Sequence, residues 1–520
     1  EDMSGSVFIV HNGIIENYRA LKEGLLVQGI TFSTGTDTEV LAKLIGSFYN
    51  GDLKAAVAKA LSMVQGTYGL LVMSERNPNE IIAARLGSPL VIGIGTDGHF
   101  VSSDPAALLA HTKDVVYLED GEMAIVTKNN YQVIARDGKK LSKTPEKVEW
   151  DVEQVKKQGY EHFMLKEIFE APEVIENTIR GRLIPERGKA KLGGLEGHLP
   201  ELSKLERLTI TACGSAYYAG YVGKYLIEEY AKLPVDIELA SEYRYKANFK
   251  DDRHALLAVT QSGETADTLA AVRLAKDMGL LTLGIVNVVG STIARETKAG
   301  VYNHAGPEVA VASTKAFISQ LTVFVLLTLL LGRERGMREE EGKEIVEALQ
   351  TLPATLAKVL KNVEPIKILA KKYANCRDAM FIGRKFHMPI AFEGALKLKE
   401  VAYIHAEAYA GGELKHGPIA MLDENFPVIA LAPQDGVYEK ILSNIEEVKA
   451  RQAPVLAIGN ENDHDIENLA DDVIFVPRVH PIIQPIVTTV PLHLFAYYVG
   501  VAKGLNVDRP RNLAKSVTVE

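Results

Sequence analysis

Beyond about Tyr160 the sequence alternates short apolar runs with long helical patterns, and this alternation constrains the fold more than any other feature. LTITAC is followed by SAYYAGYVGKYLIEEYA, ALLAVT by a helical pattern after Ser262, and LTLGIVN comes next. The runs DAMFIG, FPVIALA, PVLAIG and DVIFVP continue the same rhythm. Because strands that alternate with helices form doubly wound parallel sheets, we predict two α/β domains, at 161–350 and 351–507, related by a diverged internal repeat.

The residues before this region follow a different pattern. Between residues 6 and 136, strand-like runs such as TYGLLVMS and EMAIVTK follow one another, and only IIENYRALKEGLL and DTEVLAKLIGSFY have helical spacing. Strands that are adjacent in sequence, with helices set apart from them, predict an α+β domain on antiparallel sheets over residues 1–145. The polar residues 146–160 are predicted to be a linker, and 508–520 a C-terminal tail.

Composition argues against several classes of function. A net charge of −9 offers no basic surface to nucleic acid. The longest apolar stretch, residues 323–331, is interrupted by Thr328 and is far shorter than the ~20 residues of a membrane helix. Two cysteines, Cys213 and Cys376, provide neither a disulfide framework nor a four-ligand metal site. We therefore expect a cytoplasmic protein with no cofactor, metal ion, nucleic acid or membrane as partner.

Two turns rich in small and hydroxyl residues follow predicted strands in the α/β region. TQSGETADT concentrates hydroxyl groups around Gly263, and CGSAYYAG repeats the arrangement after the preceding strand. Beyond the carboxyl end of a parallel strand, a helix N-terminus offers unpaired amides to an anion. Because the Gly-Lys-Ser/Thr ending of a nucleotide P-loop is absent, a small phosphate monoester is the better ligand. Position alone leaves simple helix capping by Ser262 and Thr265 as an equal alternative.

The segment EGALKLKEVAYI places Glu393, Lys397 and Glu400 on one helical face, because they are four and three residues apart. Taken alone, this pattern most often marks a solvated Glu–Lys pairing worth only a few tenths of a kcal/mol. His416, in the Gly- and Pro-bounded segment GGELKHGP, is by itself an ordinary turn residue. Neither motif alone decides a function.

Several motifs together resemble one known family. CGSAYYAG, TQSGETADT, EVAVASTKAF, EGALKLKEVAYIHAEAYAGGELKHGP and DRPRNLAKSVTVE, in this order, resemble the sugar-isomerase domains of the glutamine-dependent fructose-6-phosphate aminotransferases, or glucosamine-6-phosphate synthases. HNGIIENY and GTDTEV resemble the glutaminase domain of the same family. The resemblance implies an α+β glutaminase domain of the N-terminal-nucleophile type, incomplete at its start, followed by two α/β sugar-isomerase domains. It also implies conversion of fructose 6-phosphate and glutamine to glucosamine 6-phosphate and glutamate, the first step of the hexosamine (UDP-N-acetylglucosamine) pathway.

The resemblance implies a sugar-phosphate site drawn from three segments. Its residues are Ser215, Thr260, Gln261, Ser262, Thr265 and the backbone of Val311. Thr260 stands where the family often has serine, so the hydroxyl group is kept. Ala216 stands where the family has a serine, so we expect one contact to the ligand to be missing.

The resemblance also assigns the chemistry. Glu400 matches the base that moves a proton between adjacent sugar carbons, a step to which a positioned carboxylate contributes roughly 10²–10⁴-fold. Lys397 would stabilise negative charge on the sugar oxygens, with Glu393 as an auxiliary carboxylate. His416 matches the acid/base that opens the sugar ring from the neighbouring subunit, which implies a homodimer. Lys515 matches the lysine that forms an imine with the sugar; we expect it to be desolvated beneath a docked tail.

By the same resemblance, Ala514, next to Lys515, would line the path taken by ammonia.

In the glutaminase domain, the segment SVFIVHNGIIENY predicts a strand that meets Asn12-Gly13 and is followed by a helix. The resemblance makes Asn12 and Gly13 the oxyanion hole for glutamine. Asp37, inside the capping-box pattern T-D-T-E, is either a simple cap residue or, by resemblance, the ligand of glutamine's amino group.

The nucleophilic cysteine and the Arg-Trp motif of the family have no counterpart in the sequence. We therefore expect either a fragment, which we favour, or an enzyme that uses only free ammonia. Two other functions remain open. A sugar-phosphate-binding regulator would need the two turns but not Glu400, His416 and Lys515 together, and an isomerase or deaminase acting without glutamine would not need Asn12 and Asp37.

Overall fold

The structure, a computed structural model, describes residues 1–148, 156–247 and 253–518. These residues form two compact units. The first contains the described residues of 1–155 together with 264–266 and 516–518, and the second contains those of 156–263 and 267–515.

The first unit is an α+β structure built on antiparallel sheets, as predicted. Its strands are β1 (Val7–Ile15), β2 (Gly66–Ser74), β3 (Asn77–Leu86), β4 (Val91–Ile94), β5 (His99–Ser102), β6 (Asp114–Tyr117), β7 (Met123–Thr127), β8 (Tyr131–Ile134), β9 (Lys140–Leu141) and β10 (Glu146–Lys147). Its helices are α1 (Tyr18–Val27), α2 (Asp37–Phe48) and α3 (Leu53–Leu61). The larger sheet has the order β1-β2-β3-β7-β8-β9, and the smaller one has the order β10-β6-β4-β5. The predicted linker at 146–160 begins in β10, and its residues 149–155 lie outside the described part.

The first strand is longer than the sequence pattern predicts. β1 continues through Asn12 and Gly13 to Ile15, and α1 begins only at Tyr18. The prediction that the strand ends at Asn12-Gly13 was wrong because both residues pair with β2, where Gly13 lies opposite Tyr68. Gly13 has a φ of +151°, and a Cβ there would lie 2.1 Å from the Thr67 carbonyl oxygen, so only glycine allows this close pairing.

Only one of the two reciprocal hydrogen bonds of the capping box predicted at the start of α2 is formed. The Thr36 hydroxyl accepts the N–H of Glu39 at 3.3 Å. The Glu39 carboxylate is engaged elsewhere, because it accepts the N–H groups of Ser33 and Thr34 at 2.8 and 2.6 Å. It also pairs with Lys43 at 2.6 Å.

The second unit contains two parallel sheets. Its strands are β11 (Leu183–Ile184), β12 (Lys189–Ala190), β13 (Arg207–Ala212), β14 (Val235–Leu239), β15 (His254–Thr260), β16 (Leu281–Val286), β17 (Ala299–Tyr302), β18 (Asp378–Gly383), β19 (His405–Ala410), β20 (Val428–Ala432), β21 (Val455–Asn460) and β22 (Asp472–Val476). The helices of its first half are α4 (Phe163–Phe169), α5 (Ala171–Ile179), α6 (Leu199–Leu202), α7 (Gly214–Leu226), α8 (Ala240–Tyr243), α9 (Ala266–Asp277), α10 (Thr292–Glu296) and α11 (Lys315–Glu334). Those of its second half are α12 (Glu339–Lys361), α13 (Glu364–Tyr373), α14 (His387–Ala402), α15 (Tyr438–Lys449), α16 (His464–Leu469) and α17 (Gln484–Ala502).

The two parallel sheets have the same topology. The first has the order β14-β13-β15-β16-β17 and the second β19-β18-β20-β21-β22. In each, the strand that comes first in sequence lies between the second and the third, so the strand order reverses beside it. Two doubly wound sheets of one topology confirm the predicted parallel sheets and the internal repeat.

Long apolar helices join the two sheets in one core. A single cluster of buried side chains includes Ile210 of the first sheet, Phe324 of α11 and Phe381 of the second sheet. α11 and α17 are long and apolar enough to cross a membrane, but 100% and 83% of their apolar windows are buried inside the protein. Helices that are apolar all round and buried in this way are core helices. The proposed domain boundary at 350 falls inside α12 and stays a prediction.

Thr322 and Thr328 provide a matched test of buried hydroxyl groups in α11. Both side chains are fully buried; the Thr322 hydroxyl donates to the Ile318 carbonyl at 2.9 Å, whereas the Thr328 hydroxyl has no partner among the described residues. An unsatisfied buried polar group costs about 1–3 kcal/mol. We expect Thr328→Val to raise the free energy of unfolding in urea by about 1 kcal/mol, and Thr322→Val not to raise it. A less stable Thr328→Val protein would contradict this expectation.

Candidate active site

The two turns singled out in the sequence lie at the same edge of the first parallel sheet. β13 ends at Ala212 and β15 at Thr260, and these neighbouring strands run parallel. The turn that leads to Ser215 in α7 therefore lies beside the turn that contains Gln261 and Ser262. Because the strand order reverses between these strands, this is the position at which open α/β sheets bind ligands.

The turn after β15 is held by two hydrogen bonds to the backbone of Gly263. The Thr260 hydroxyl accepts the N–H of Gly263 at 3.1 Å, so this hydroxyl shapes the turn. The Gly263 carbonyl accepts the N–H of Ile293 at 2.9 Å. Gly263 has a φ of +71°, and a Cβ there would lie 1.9 Å from the Ser291 hydroxyl oxygen, so both conformation and space require glycine. Thr265 follows in the sequence, immediately before α9.

The turn after β13 leads directly into α7. Gly214 has a φ of +56°, and Ser215 is the second, half-buried residue of the helix. The Cys213 thiol lies 3.8 Å from the Thr268 hydroxyl, which connects the starts of α7 and α9. Ala216, where the resemblance led us to expect a missing hydroxyl, packs against the apolar core.

The charged face of α14 is buried, so the alternative of a solvated pairing was wrong. Lys397 and Glu393 are at most 1% exposed and lie 3.6 Å apart, and Lys397 is hydrogen-bonded to Glu400, which is 22% exposed. Burial opposes a charge on Lys397, but the carboxylates of Glu393 and Glu400 outweigh it and raise the pKa of Lys397. The lysine is therefore held as a cation between two carboxylates.

α7 brings the turn after β13 close to this face. Tyr218 of α7 stacks on Phe392 of α14, with ring centroids 5.6 Å apart. Burial, followed by the charge of Glu393, raises the pKa of Tyr218 to about 12. α7, which begins at Gly214 and carries Ser215 in its first turn, thus passes beside the residues predicted to carry the chemistry.

The sequence analysis missed two residues that contact this face or act on it. His493 of α17 is 1% exposed, and its Nε2 lies 3.2 Å from Glu393 Oε1. The available signal was a single imidazole in the otherwise apolar pattern VPLHLFAYY. Glu308 is the second; its charge contributes to the raised pKa of Lys397, after Glu393 and Glu400. Its signal was a carboxylate inside the quoted motif EVAVASTKAF.

The C-terminal tail is anchored at its first residue and carries Lys515 to Glu308. The Asp508 carboxylate accepts the N–H groups of Phe163 and Met164 at 3.0 and 2.9 Å, and its carbonyl accepts the N–H of Val311. Lys515 is ion-paired with Glu308; the lysine side chain is 19% exposed and the glutamate side chain 0%. The expected desolvation of Lys515 is therefore incomplete. We call Glu308, Glu393, Lys397, Glu400 and Lys515 the charged cluster.

Two predicted site residues lie outside these contacts, and a third has its backbone N–H engaged by the tail. His416 ends a short 3₁₀ helix and is exposed, and Ala514 is exposed as well. The N–H of Val311 is used by the tail, as described above. The roles predicted for these residues stay predictions.

In the first unit, Asn12, Gly13 and Asp37 lie around the end of β1. The Asp37 carboxylate accepts the N–H of Ile15 at 2.9 Å and that of Thr38 at 2.8 Å. The exposed Asn12 side chain lies 3.4 Å from the hydroxyl of Thr518. Asp37 therefore connects the end of β1 to the start of α2, and its predicted contact with glutamine stays a prediction.

Comparison with known proteins identifies the domain families of the chain. The SIS domain family matches residues 201–330 and 372–503, and the glutamine amidotransferase domain family matches residues 1–110. The chain is 49% identical over 523 residues to the glutamine–fructose-6-phosphate aminotransferase (isomerizing) of Chlorobaculum tepidum, covering 100% of this chain and 85% of that protein. The enzyme of the same name from Thermus thermophilus is 47% identical over 518 residues, covering 99% and 85%.

The chain belongs to the glutamine–fructose-6-phosphate aminotransferase (isomerizing) family. Among solved structures, the C-terminal domain of the glucosamine-fructose-6-phosphate aminotransferase of Francisella tularensis matches with a TM-score of 0.65 and 38% identity, covering 68% of this chain and 100% of that one. The tagatose-6-phosphate ketose/aldose isomerase of Escherichia coli matches with a TM-score of 0.55, covering 68% and 95%. At 16% identity, the second match shows the fold alone.

Lys397 and Lys343 provide a matched test of a buried and an exposed ion pair. Removing one partner of a buried pair leaves an uncompensated charge, so we expect Lys397→Met to lower the free energy of unfolding by about 3–5 kcal/mol. Lys343 forms the same i,i+4 pairing with Glu339 on α12, but the two side chains are 47% and 46% exposed. We expect Lys343→Met to change stability by at most about 0.5 kcal/mol, and equal losses in urea unfolding would contradict the assigned burial.

Proposed function

We propose that this chain is a cytoplasmic enzyme that converts D-fructose 6-phosphate and L-glutamine to D-glucosamine 6-phosphate and L-glutamate without a cofactor. One observation supports this most directly: Lys515, the lysine that matches the family's imine-forming residue, is paired with Glu308 in the charged cluster. A regulator that only bound a sugar phosphate would not need this cluster, because burying charges is costly.

The two turns at the edge of the first sheet would hold the phosphoryl group of the sugar. Backbone amides at the helix starts and hydroxyl groups supply the donors that a phosphate dianion requires. The residues of this site are Ser215, Thr260, Gln261, Ser262 and Thr265, with the backbone of Val311 and with Ala514 beside the sugar. Because α7 runs from these turns to the charged face of α14, the carbonyl end of an open sugar chain would extend toward that face.

The chemistry follows from the charged cluster. The unprotonated Nζ of Lys515 adds to the C2 carbonyl carbon, the carbonyl oxygen leaves as water, and an imine forms. Ammonia then displaces the lysine from C2. Glu400 takes a proton from C1 and delivers it to C2, while the proton of the C1 hydroxyl passes to the imine nitrogen; C1 becomes the aldehyde carbon and C2 carries the amino group. Lys397 stabilises the negative charge that develops on the sugar oxygens. Glu393 keeps Lys397 charged.

The glutaminase site would supply the ammonia. Asn12 and Gly13 would bind the oxyanion of the glutamine amide, and Asp37 the amino group of glutamine. Cys213 and Cys376 both lie in the second unit, and burial raises the pKa of both thiols. With ammonium salts as the nitrogen source, the isomerase chemistry is measured separately from glutamine hydrolysis.

His416 would act across a subunit interface. It is exposed and precedes Gly417, which has a φ of +137°. An imidazole in this position can serve a neighbouring copy of the chain, where it would open the sugar ring by proton transfer. The active unit is then a homodimer in which each site takes His416 from the partner chain.

Lys515→Arg tests the imine step. Arginine keeps the positive charge beside Glu308 but cannot form an imine with the sugar. We expect the variant to bind fructose 6-phosphate in calorimetry and to make no glucosamine 6-phosphate from ammonium. Lys503→Arg, which changes a lysine outside the charged cluster, is the control and should retain activity. Wild-type turnover by Lys515→Arg would refute the imine.

Mixed dimers test the position of His416. His416→Ala and Lys515→Arg homodimers should each be inactive. When the two variants are unfolded and refolded together, one site in half of the dimers regains both residues, so about a quarter of the wild-type activity should return. If both residues act within one chain, no activity will return.

A further inference from the structure

Glu308 is a fully buried carboxylate held from four directions. Its Oε1 accepts the N–H groups of Thr314 and Ala316, at 2.9 and 3.0 Å, where α11 begins. Its Oε2 accepts the hydroxyl of Ser313 at 3.0 Å and is ion-paired with Lys515. A carboxylate at a helix N-terminus is electrostatically favourable, so Glu308 is a fixed anchor for the amine.

A second carboxyl group, that of Glu167 on α4, lies behind this anchor. It is 1% exposed, and its Oε1 accepts the N–H groups of Val309 and Ala310, at 2.6 and 3.2 Å. These are the two residues that follow Glu308 in the chain. Its Oε2 is buried and has no hydrogen-bond partner in the described part of the chain. An ionised carboxylate with an unsatisfied buried oxygen is costly, which favours a neutral carboxyl group at Glu167.

The electrostatic environment shifts the pKa values of the two carboxyl groups in opposite directions. Burial, and then the charge of Glu308, raise the pKa of Glu167 to about 8. Burial also acts to raise the pKa of Glu308, but Lys515 and the N–H of Ala316 oppose it and lower that pKa to about 2. At neutral pH the pair therefore carries one negative charge, located on Glu308.

Other charged groups surround Glu167 as well. Lys315 of α11 and Lys515 of the tail act on its pKa. Lys166 lies on the same helix, Glu170 directly follows that helix, and Asp508 of the tail accepts N–H groups at the helix start. Lys166 and Lys315 are each paired with Glu170 at 2.7 Å, which leaves Glu308 and Lys515 as the groups most directly coupled to Glu167.

We propose that Glu308 and Glu167 are positioning residues for Lys515: the Glu308 carboxylate fixes the amine, and the neutral Glu167 carboxyl keeps the pair at a single negative charge. This inference rests on the proposed function, in which Lys515 forms the imine. A second negative charge behind Lys515 would stabilise its ammonium form, which cannot attack a carbonyl. One charge holds the amine in place with a smaller penalty for losing its proton.

The test is the rate of imine formation, measured by trapping with borohydride in the presence of fructose 6-phosphate. Hydride reduces the C=N bond to a secondary amine, and mass spectrometry of the full chain detects the attached sugar. We expect Glu308→Gln to slow trapping by about tenfold or more while its Kd for fructose 6-phosphate stays within about threefold of wild type. Glu308→Asp should recover part of the trapping rate. Wild-type trapping by Glu308→Gln would overturn the positioning role.

Glu167→Gln tests the second half of the proposal through its pH dependence. In the wild type, ionisation of Glu167 should slow trapping relative to the variant, so the ratio of variant to wild-type rates should increase as the pH rises through about 8. Glu176→Gln, at an exposed position of α5, is the control and should give a constant ratio. A constant ratio for Glu167→Gln would overturn its role, even if Glu308→Gln fails to fold.

Stability gives a readout that does not depend on the reaction. A carboxyl group whose pKa is raised by folding contributes fully to stability at pH values below its pKa in the unfolded chain. For Glu167 this contribution is lost as the pH rises from about 4.5, the unfolded pKa, to about 8, the folded pKa. The wild type should therefore lose stability relative to Glu167→Gln over this range, and parallel profiles would contradict a neutral Glu167. A wild type that traps no sugar would refute the imine itself, whereas trapping that is insensitive to Glu308 refutes only the positioning.

Discussion

The burial of charge at Glu308 is the constraint on which the second unit depends. A carboxylate removed from water costs several kcal/mol unless its oxygens are paired. Here the pairing comes from the start of α11, which is a core helix, and from Lys515 in the C-terminal tail. The same carboxylate therefore fixes the beginning of a core helix and the position of an amine. Packing of the core and geometry of the site cannot vary independently.

The repeated topology explains how distant segments meet at the site. The first parallel sheet supplies the two turns at its reversal of strand order, and α14 of the second repeat supplies Glu393, Lys397 and Glu400. α7 packs against α14 and connects them, as the stacking of Tyr218 on Phe392 shows. Because the two sheets share one core, residues far apart in sequence are held at fixed distances, as catalysis by proton transfer requires.

The sequence was sufficient for the elements with strong periodicity but not for contacts decided by tertiary structure. Alternating strands and helices predicted both parallel sheets, and the family motifs predicted the residues of α14. The burial of Lys397 could not be predicted from spacing, since an exposed Glu–Lys pair has the same spacing. The extension of β1 through Gly13 depended on pairing with β2, which propensity does not encode. Glu167 and His493 were missed because their partners are distant in the sequence. Glu167 contacts residues 309 and 310, and His493 contacts Glu393 on another helix.

The second sheet has the topology of the first, but its turn after β20 is fixed by different side chains. The turn after β20 contains Asp435, which is held by the N–H of Val437 at 2.9 Å and lies 3.7 Å from Nδ1 of the buried His387 at the start of α14. Burial acts to raise the pKa of Asp435, but these two partners outweigh it and lower the pKa. The turn after β20 is therefore tied by a carboxylate to the start of α14, whereas the turn after β15 is shaped by the Thr260 hydroxyl, which accepts the N–H of Gly263. The repeat keeps one scaffold, but different side chains fix the corresponding turns.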